Sequence, residues 1–254
     1  MNQITYQLIN NPPLSLIFKA RCLGVYPSFE AARAAIPAGC RTNYNQEEGE
    51  QFYRGYPTTR VRPSDYPVLL HLRNLVKPGG RLIDLGGNNG MACYTALRYY
   101  PLPDGFEWTL CDLPNIIELA RETAEREGDK SKHLRFTSDL REAGVCDIFL
   151  SSGCLQEIEA PLADLLRLLP QLPTSVIINR IPVWGREAIV TLRMPGSYLF
   201  PYKYFSRKAF VESVEQLGYQ LIDDWDCPES STSIRFNRHL RINQFHGFYF
   251  ARTS

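Results

Sequence analysis

From Asp65 to the C-terminus, short apolar runs alternate with stretches in which apolar residues recur every three or four positions. The short runs, bounded by turn-forming residues, read as strands, and the longer period reads as amphipathic helix. Strands fall at 81–85 (RLIDL), 107–113 (EWTLCDL), 134–140 (LRFTSDL), 146–153 (CDIFLSSG), 175–181 (SVIINRI), 219–225 (YQLIDDW) and 246–252 (HGFYFAR). Helices fall on DYPVLLHLRNLV, with Asp65 or Ser64 near its cap, and on GMACYTALRYY, ended by Pro101. Three more fall on NIIELARETAEREG, on PLADLLRLLPQL, and on SRKAFVESVEQLG, capped by Ser206 and stopped by Gly218. Buried strands alternating with helices predict an α/β fold: a largely parallel seven-stranded sheet covered on both faces. The last two strands, with only a loop between them, predict an antiparallel hairpin at one edge.

Residues 1–61 lack this rhythm. YPSFEAARAAI reads as a short helix opened by Ser28, with Phe29, Ala32 and Ile36 on one face. AGCRTNYNQEEGEQFYRGYPTTRVRPS is polar, aromatic and rich in turn residues, so it reads as loop or short helix. The organisation expected is a helical and loop extension, 1–61, covering the active site of one main domain, 62–254. At 254 residues and 44% hydrophobic, the chain can build one large core.

Charge and cysteine content narrow the classes. A formal net charge of +1 argues against a nucleic-acid partner, which needs a basic face. No apolar run approaches the roughly 18 residues of a membrane span, so no membrane partner is expected. PPLSLIF is short and has no basic stretch ahead of it, so no secretory signal is read there. Seven scattered cysteines without a C-x-x-C pair suggest neither a disulfide framework nor a zinc site, and a reducing cytoplasm is the expected compartment.

The chemistry gathers at RLIDLGGNNG. A dinucleotide site starting at Gly86 needs glycine at 88 and 91, where the chain has Asn88 and Met91. The pattern present is acid-x-G-G-x-x-G, with Asp84, Gly86, Gly87 and Gly90. An acid two residues before the first glycine repels a pyrophosphate and suits a cationic ligand, such as one with the ammonium and sulfonium of S-adenosylmethionine. Asn88 must tolerate the backbone of a glycine, for which asparagine is the best substitute. Asp112 ends the next strand, 22 residues beyond Gly90, where a carboxylate can accept both ribose hydroxyls. Leu113 follows it. In FTSDL, Asp139 can accept from an exocyclic amine, Leu140 can cover a ring face, and Ser138 lies beside them. Ser152, at the end of the fourth strand, completes the set expected to bind the cofactor. Asp112 also reads as a helix cap, and Asp139 as part of a solvated turn.

With these residues in place, the segment from about 62 to 254 resembles class I S-adenosylmethionine-dependent methyltransferases. More narrowly, RLIDLGGNNG, DIFLSSGCLQEIE, NRIPV, PYKYFSRKAF and LGYQLIDDW resemble a bacterial methyltransferase family often associated with polysaccharide gene clusters, and YPSFEAA fits that family too. The resemblance implies a Rossmann-like fold and S-adenosylmethionine as cofactor. It implies methyl transfer to oxygen, a carboxylate included, or to nitrogen of a small biosynthetic metabolite, sugar or modified peptide. A methyltransferase-like protein with other chemistry, or binding only, is the alternative, followed by a dinucleotide-dependent oxidoreductase. The oligomeric state is left open, with a homodimer in view.

The acceptor should meet loops after the fourth and fifth strands. Several small-molecule O-methyltransferases place a histidine base after the fourth strand, where this chain has Gln156, which can orient an acceptor, and Glu157, which can take a proton. His71, on the helix before the glycine loop, is the third catalytic candidate. No acid ends DIFLSS, so no metal is expected. After the fifth strand, NRIPVWGREAIVTLRMPGSYLFPYKYFS reads as a lid, with Arg180, Trp184, Tyr198 and Tyr202 as candidate contacts to the acceptor; Phe200 and Tyr204 lie there too. A carboxylate acceptor would need no base.

Overall fold

The computed structural model describes residues 22–38, 60–194 and 199–253. The chain enters through β1 (Cys22–Tyr26) and α1 (Phe29–Ala34), then α2 (Asp65–Leu75), β2 (Arg81–Leu85), α3 (Met91–Leu97), β3 (Glu107–Cys111) and α4 (Pro114–Glu127). It continues through β4 (Leu134–Thr137), β5 (Ile148–Ser152), α5 (Leu162–Arg167) and β6 (Ser175–Ile181). Three strands follow, β7 (Val183–Trp184), β8 (Ile189–Arg193) and β9 (Phe200–Ser206), and then α6 (Arg207–Glu215). The chain closes with β10 (Tyr219–Cys227), β11 (Thr232–Ile234), β12 (Asn237–Ile242) and β13 (Phe245–Arg252).

The main sheet has the order β10-β13-β6-β5-β2-β3-β4. Strands β4, β3, β2, β5 and β6 are parallel, and β13 pairs antiparallel with both β6 and β10. The alternation of side chains sorts the two faces. Leu82, Trp108, Leu110, Ile148 and Ile177 pack against α2, α3 and α4 through Val68, Leu72, Cys93, Ala96, Ile117 and Ala120. Ile83, Phe149, Val176, Ile178, Phe248 and Phe250 pack against α5 and α6 through Leu162, Leu166, Phe210 and Val214. This is the seven-stranded α/β sheet predicted. The order reverses between β2 and β5, and such a switch point opens a crevice at the carboxyl ends of the strands.

A second, six-stranded sheet, β12-β11-β1-β8-β9-β7, was not foreseen. Residues 22–26, read as part of a helical and loop extension, form β1, which pairs antiparallel with β8. The segment read as a lid is largely strand, since β8 and β9 pair from Ile189↔Tyr204 to Arg193↔Phe200. The connection between β10 and β13, read as loop, carries the β11–β12 pair into the same sheet. The helix YPSFEAA forms as predicted, with Ser28 Oγ accepting the Ala31 N–H at 3.1 Å. Ser206 stands at the cap of α6 but makes no side-chain capping bond. Among the described residues, no helix is long and apolar enough to cross a membrane.

Candidate functional site

A cavity of about 1090 Å³ opens at the carboxyl ends of β2, β3, β5 and β6, against the second sheet. This is slightly above the roughly 300–1,000 Å³ of a typical small-ligand pocket, so there is room for a cofactor and an acceptor side by side.

One end is built by the glycine loop. Asp84 is 1% exposed, and its Oδ2 accepts the indole N–H of Trp108 at 3.1 Å. Burial pushes its carboxyl up to about 7; the Trp108 bond opposes this, Asp112 adds to it, and Arg180 opposes it. Gly87 lies so close that a β-carbon there would sit 2.9 Å from Asp84 Cγ and 2.7 Å from Leu110. Gly86 has φ of 73°, and its missing β-carbon points at Cys154, not at open cavity. Glycine at 86 thus lets the loops after β2 and β5 touch. Asn88 has φ of 54°, and its N–H donates to Asp112 Oδ2 at 2.9 Å. The other oxygen, Asp112 Oδ1, accepts the Leu113 N–H at 2.8 Å. Each carboxylate oxygen can accept a second hydrogen bond, which leaves one place on each. Burial raises the Asp112 carboxyl, against the pull of these two N–H groups.

Asp84, Gly86, Gly87, Asn88, Asp112, Leu113, Ser138, Leu140 and Ser152 all line the cavity. Gly90 instead caps α3 from behind the loop. Asp139 also stands off the cavity wall: its Oδ1 accepts the Arg141 N–H at 2.9 Å and caps the short turn Leu140–Glu142. Met91, Thr95 and Ile116, which sequence reasoning passed over, complete this end. Only Ile116 carried a signal, being one helical step beyond Leu113.

The other end holds Gln156 and Glu157, in the short turn Leu155–Glu157 after β5, with Arg180, Arg193, Phe200 and Tyr202. Gln156 is 4% exposed, and its Oε1 has no hydrogen-bond partner among the described residues. Burial pushes the Glu157 carboxyl up to about 7, opposed by Arg193 and assisted by Asp112. Arg180, with φ of 57°, turns back to pair with Asp65 at the start of α2, and it donates to the Ser152 carbonyl at 3.4 Å. Its charge is therefore already matched. Asn179 donates to Ser152 Oγ at 3.1 Å and fixes the same corner.

Two candidates lie elsewhere. His71 is on the face of α2 away from the cavity; its Nε2 lies 2.8 Å from Asp223 Oδ2 and its ring centroid 4.5 Å from that of Tyr249. Trp184 packs edge-on against Tyr204 at 5.4 Å and donates to the Glu187 carbonyl at 2.9 Å, outside the cavity wall. Tyr204 is buried behind Tyr202 and bonded through its hydroxyl to Thr232 at 3.0 Å. Tyr198 lies outside the described residues. No group of three or more His, Cys, Asp or Glu side chains that could hold a metal occurs among the described residues.

No family model and no curated protein sequence matches the chain. Solved structures do. The chain is similar to 1,6-didemethyltoxoflavin-N1-methyltransferase from Burkholderia thailandensis, with 18% identity and a TM-score of 0.52 over 82% of this chain and 84% of that one. It is similar to magnesium protoporphyrin IX methyltransferase from Synechocystis PCC 6803, with 16% identity and a TM-score of 0.54 over 83% and 96%. It is similar, too, to the 4+2 cyclase SpnF, with 12% identity and a TM-score of 0.54 over 84% and 97%. The fold is the Rossmann-like fold of class I S-adenosylmethionine-dependent methyltransferases.

Proposed function

We propose that this protein is an S-adenosylmethionine-dependent methyltransferase acting on oxygen or nitrogen of a small biosynthetic molecule. One observation carries the reading: Asp84 and Asp112 face one cavity at the switch point of the sheet, beside a loop whose Gly86 and Gly87 have no room for a β-carbon. The residues suit the cofactor. The free places on the Asp112 carboxylate match two ribose hydroxyls, Leu113, Ile116 and Leu140 offer apolar cover for adenine, and Asp84 sets a buried negative charge toward a cation. Two proteins of this fold, the toxoflavin and protoporphyrin methyltransferases, have S-adenosylhomocysteine bound in their structures.

S-adenosylmethionine, when bound, supplies a methyl group already activated on sulfur. The chain has to hold the acceptor in line with it, exclude water, and take a proton if the acceptor carries one. The second sheet, with Phe29 and Arg33 of the N-terminal segment, walls the acceptor end. A dinucleotide is disfavoured, because Asp84 would meet a pyrophosphate with like charge.

Calorimetric titration tests the binding half: S-adenosylmethionine should bind and NAD(P) should not. The similarity to a cyclase keeps a second reading, a methyltransferase fold with other chemistry. Release of S-adenosylhomocysteine with candidate acceptors separates the two.

A further inference from the structure

Gln156 and Glu157 share the cavity with Asp112 but sit beside the wall that β8 and β9 build. We infer that the methyl acceptor arrives with its nucleophilic atom protonated, as a hydroxyl or an N–H, and that Gln156 orients this atom while Glu157 takes its proton. The inference rests on the methyltransferase reading and narrows it to one substrate class.

The Gln156 side chain is buried in the cavity wall with its carbonyl oxygen unmatched among the described residues, an arrangement that folds avoid unless something else supplies the partner. The Glu157 carboxyl, half-buried next to it, makes no hydrogen bond or ion pair among the described residues. Both groups can accept from a donor on a ligand. The charged or titratable groups around Glu157 are Arg193 from β8, Tyr202 from β9, Asp112 after β3 and Cys154 on its own turn. Burial holds the Tyr202 hydroxyl and the Cys154 thiol protonated. Glu157 itself is pushed up to about 7, chiefly by burial, which places it where a base must be to remove a proton at neutral pH.

A carboxylate acceptor fits less well. It has no proton to give, and it would set a negative charge beside Glu157. Arg180 is already bound to Asp65, and the Arg193 charge already acts on Glu157, whose carboxyl it pulls down. In the step inferred, the acceptor O–H or N–H bond breaks and its proton passes to a Glu157 oxygen. The acceptor atom's electron pair forms the new bond to the methyl carbon. The carbon–sulfur bond breaks, its pair stays on sulfur, and S-adenosylhomocysteine leaves.

Phe200, Tyr202 and Phe245 line this end, so phenol and benzoate are suitable probes of one size and opposite kind. Phenol is neutral and benzoate ionised at both pH 6 and pH 8, so any pH effect belongs to the protein. Protein saturated with S-adenosylhomocysteine is titrated with each probe at both pH values, for wild type, Glu157→Gln and Gln156→Leu, with melting curves to confirm folding. At pH 8 phenol should bind at least about tenfold tighter than benzoate, and the gap should narrow at pH 6 as Glu157 gains its proton. Glu157→Gln should make the preference independent of pH. Gln156→Leu should weaken phenol and leave S-adenosylhomocysteine affinity unchanged. Benzoate matching phenol at pH 8, a pH-dependent preference surviving in Glu157→Gln, or no binding of phenol would each overturn the inference. Failure of S-adenosylhomocysteine itself to bind is a different result, and it sinks the methyltransferase reading beneath it.

Discussion

Asp84→Asn should stabilise the ligand-free protein at neutral pH while weakening its hold on S-adenosylmethionine. Asp84 is buried, and its carboxyl is raised from 3.8 to about 7. Because the folded value lies above the unfolded one, the folded state binds the proton more tightly. Stability is full below about pH 4 and is lost as pH rises toward 7. At pH 8 the ionised group costs the fold about 4 kcal/mol, at roughly 1.4 kcal/mol for each pH unit between the two values. Asparagine removes the charge and keeps an oxygen for the Trp108 N–H, so it should return at most that amount. Denaturant unfolding of both proteins from pH 5 to pH 8 measures the difference, and every other titrating group is common to the two. The variant's advantage should grow by about 2–3 kcal/mol across that range. Saturating wild type with S-adenosylmethionine should flatten its curve, because a cation beside Asp84 favours the ionised form. An advantage that does not change with pH, or a variant less stable than wild type at pH 8, would refute the reasoning.

Other perturbations sort binding from packing. Asp112→Ala should weaken S-adenosylhomocysteine by roughly 2–4 kcal/mol, the worth of two charge-assisted hydrogen bonds, and Asp112→Asn by less; calorimetry matching wild type for both would reduce Asp112 to a cap for the Asn88 and Leu113 amides. Gly86→Ala should lower the melting temperature, because the added carbon meets Cys154, and Cys154→Gly should recover part of the loss; a melting temperature left unchanged by Gly86→Ala would show that the two loops have room to part. Trp184→Ala should lose thermal stability and leave cofactor affinity within about threefold, under roughly 0.7 kcal/mol. A large loss of affinity with the fold intact would place Trp184 on the cavity after all. His71→Ala should cost stability through the lost Asp223 contact and leave S-adenosylhomocysteine affinity unchanged, measured on the same samples.

The main sheet was legible because its strands are near-continuous apolar runs between helices of clear period, and each such run has one way to be buried. The second sheet lacked that signature. β1 contains Gly24 at φ of 66° and a register shift against β8, β9 carries Pro201 opposite Leu192, and β11 has three residues. Proline and glycine inside a run weaken a strand reading, and here tertiary pairing outweighs them. That Asp84, Gly86, Gly87 and Asp112 meet at one cavity was legible because their spacing encodes a strand, a turn and the next strand; Gly90, in the same pattern, caps α3 instead. The Asp65–Arg180 pair joins residues 115 apart and depends on how α2 meets the end of β6, which no local pattern specifies. His71 misled because α2 is amphipathic over a broad arc. Val68, Leu69 and Leu72 face the core, and His71 falls just past its edge, against Tyr249 and Trp225.

The most direct measurement is a crystal structure of the full chain grown with S-adenosylhomocysteine. The ribose hydroxyls should lie on the Asp112 carboxylate, the amino-acid end over Gly86 and Gly87 near Asp84, and the sulfur should point toward Gln156 and Glu157. A ligand bound elsewhere, or one whose ribose leaves Asp112 holding only the amides of Asn88 and Leu113, would contradict this.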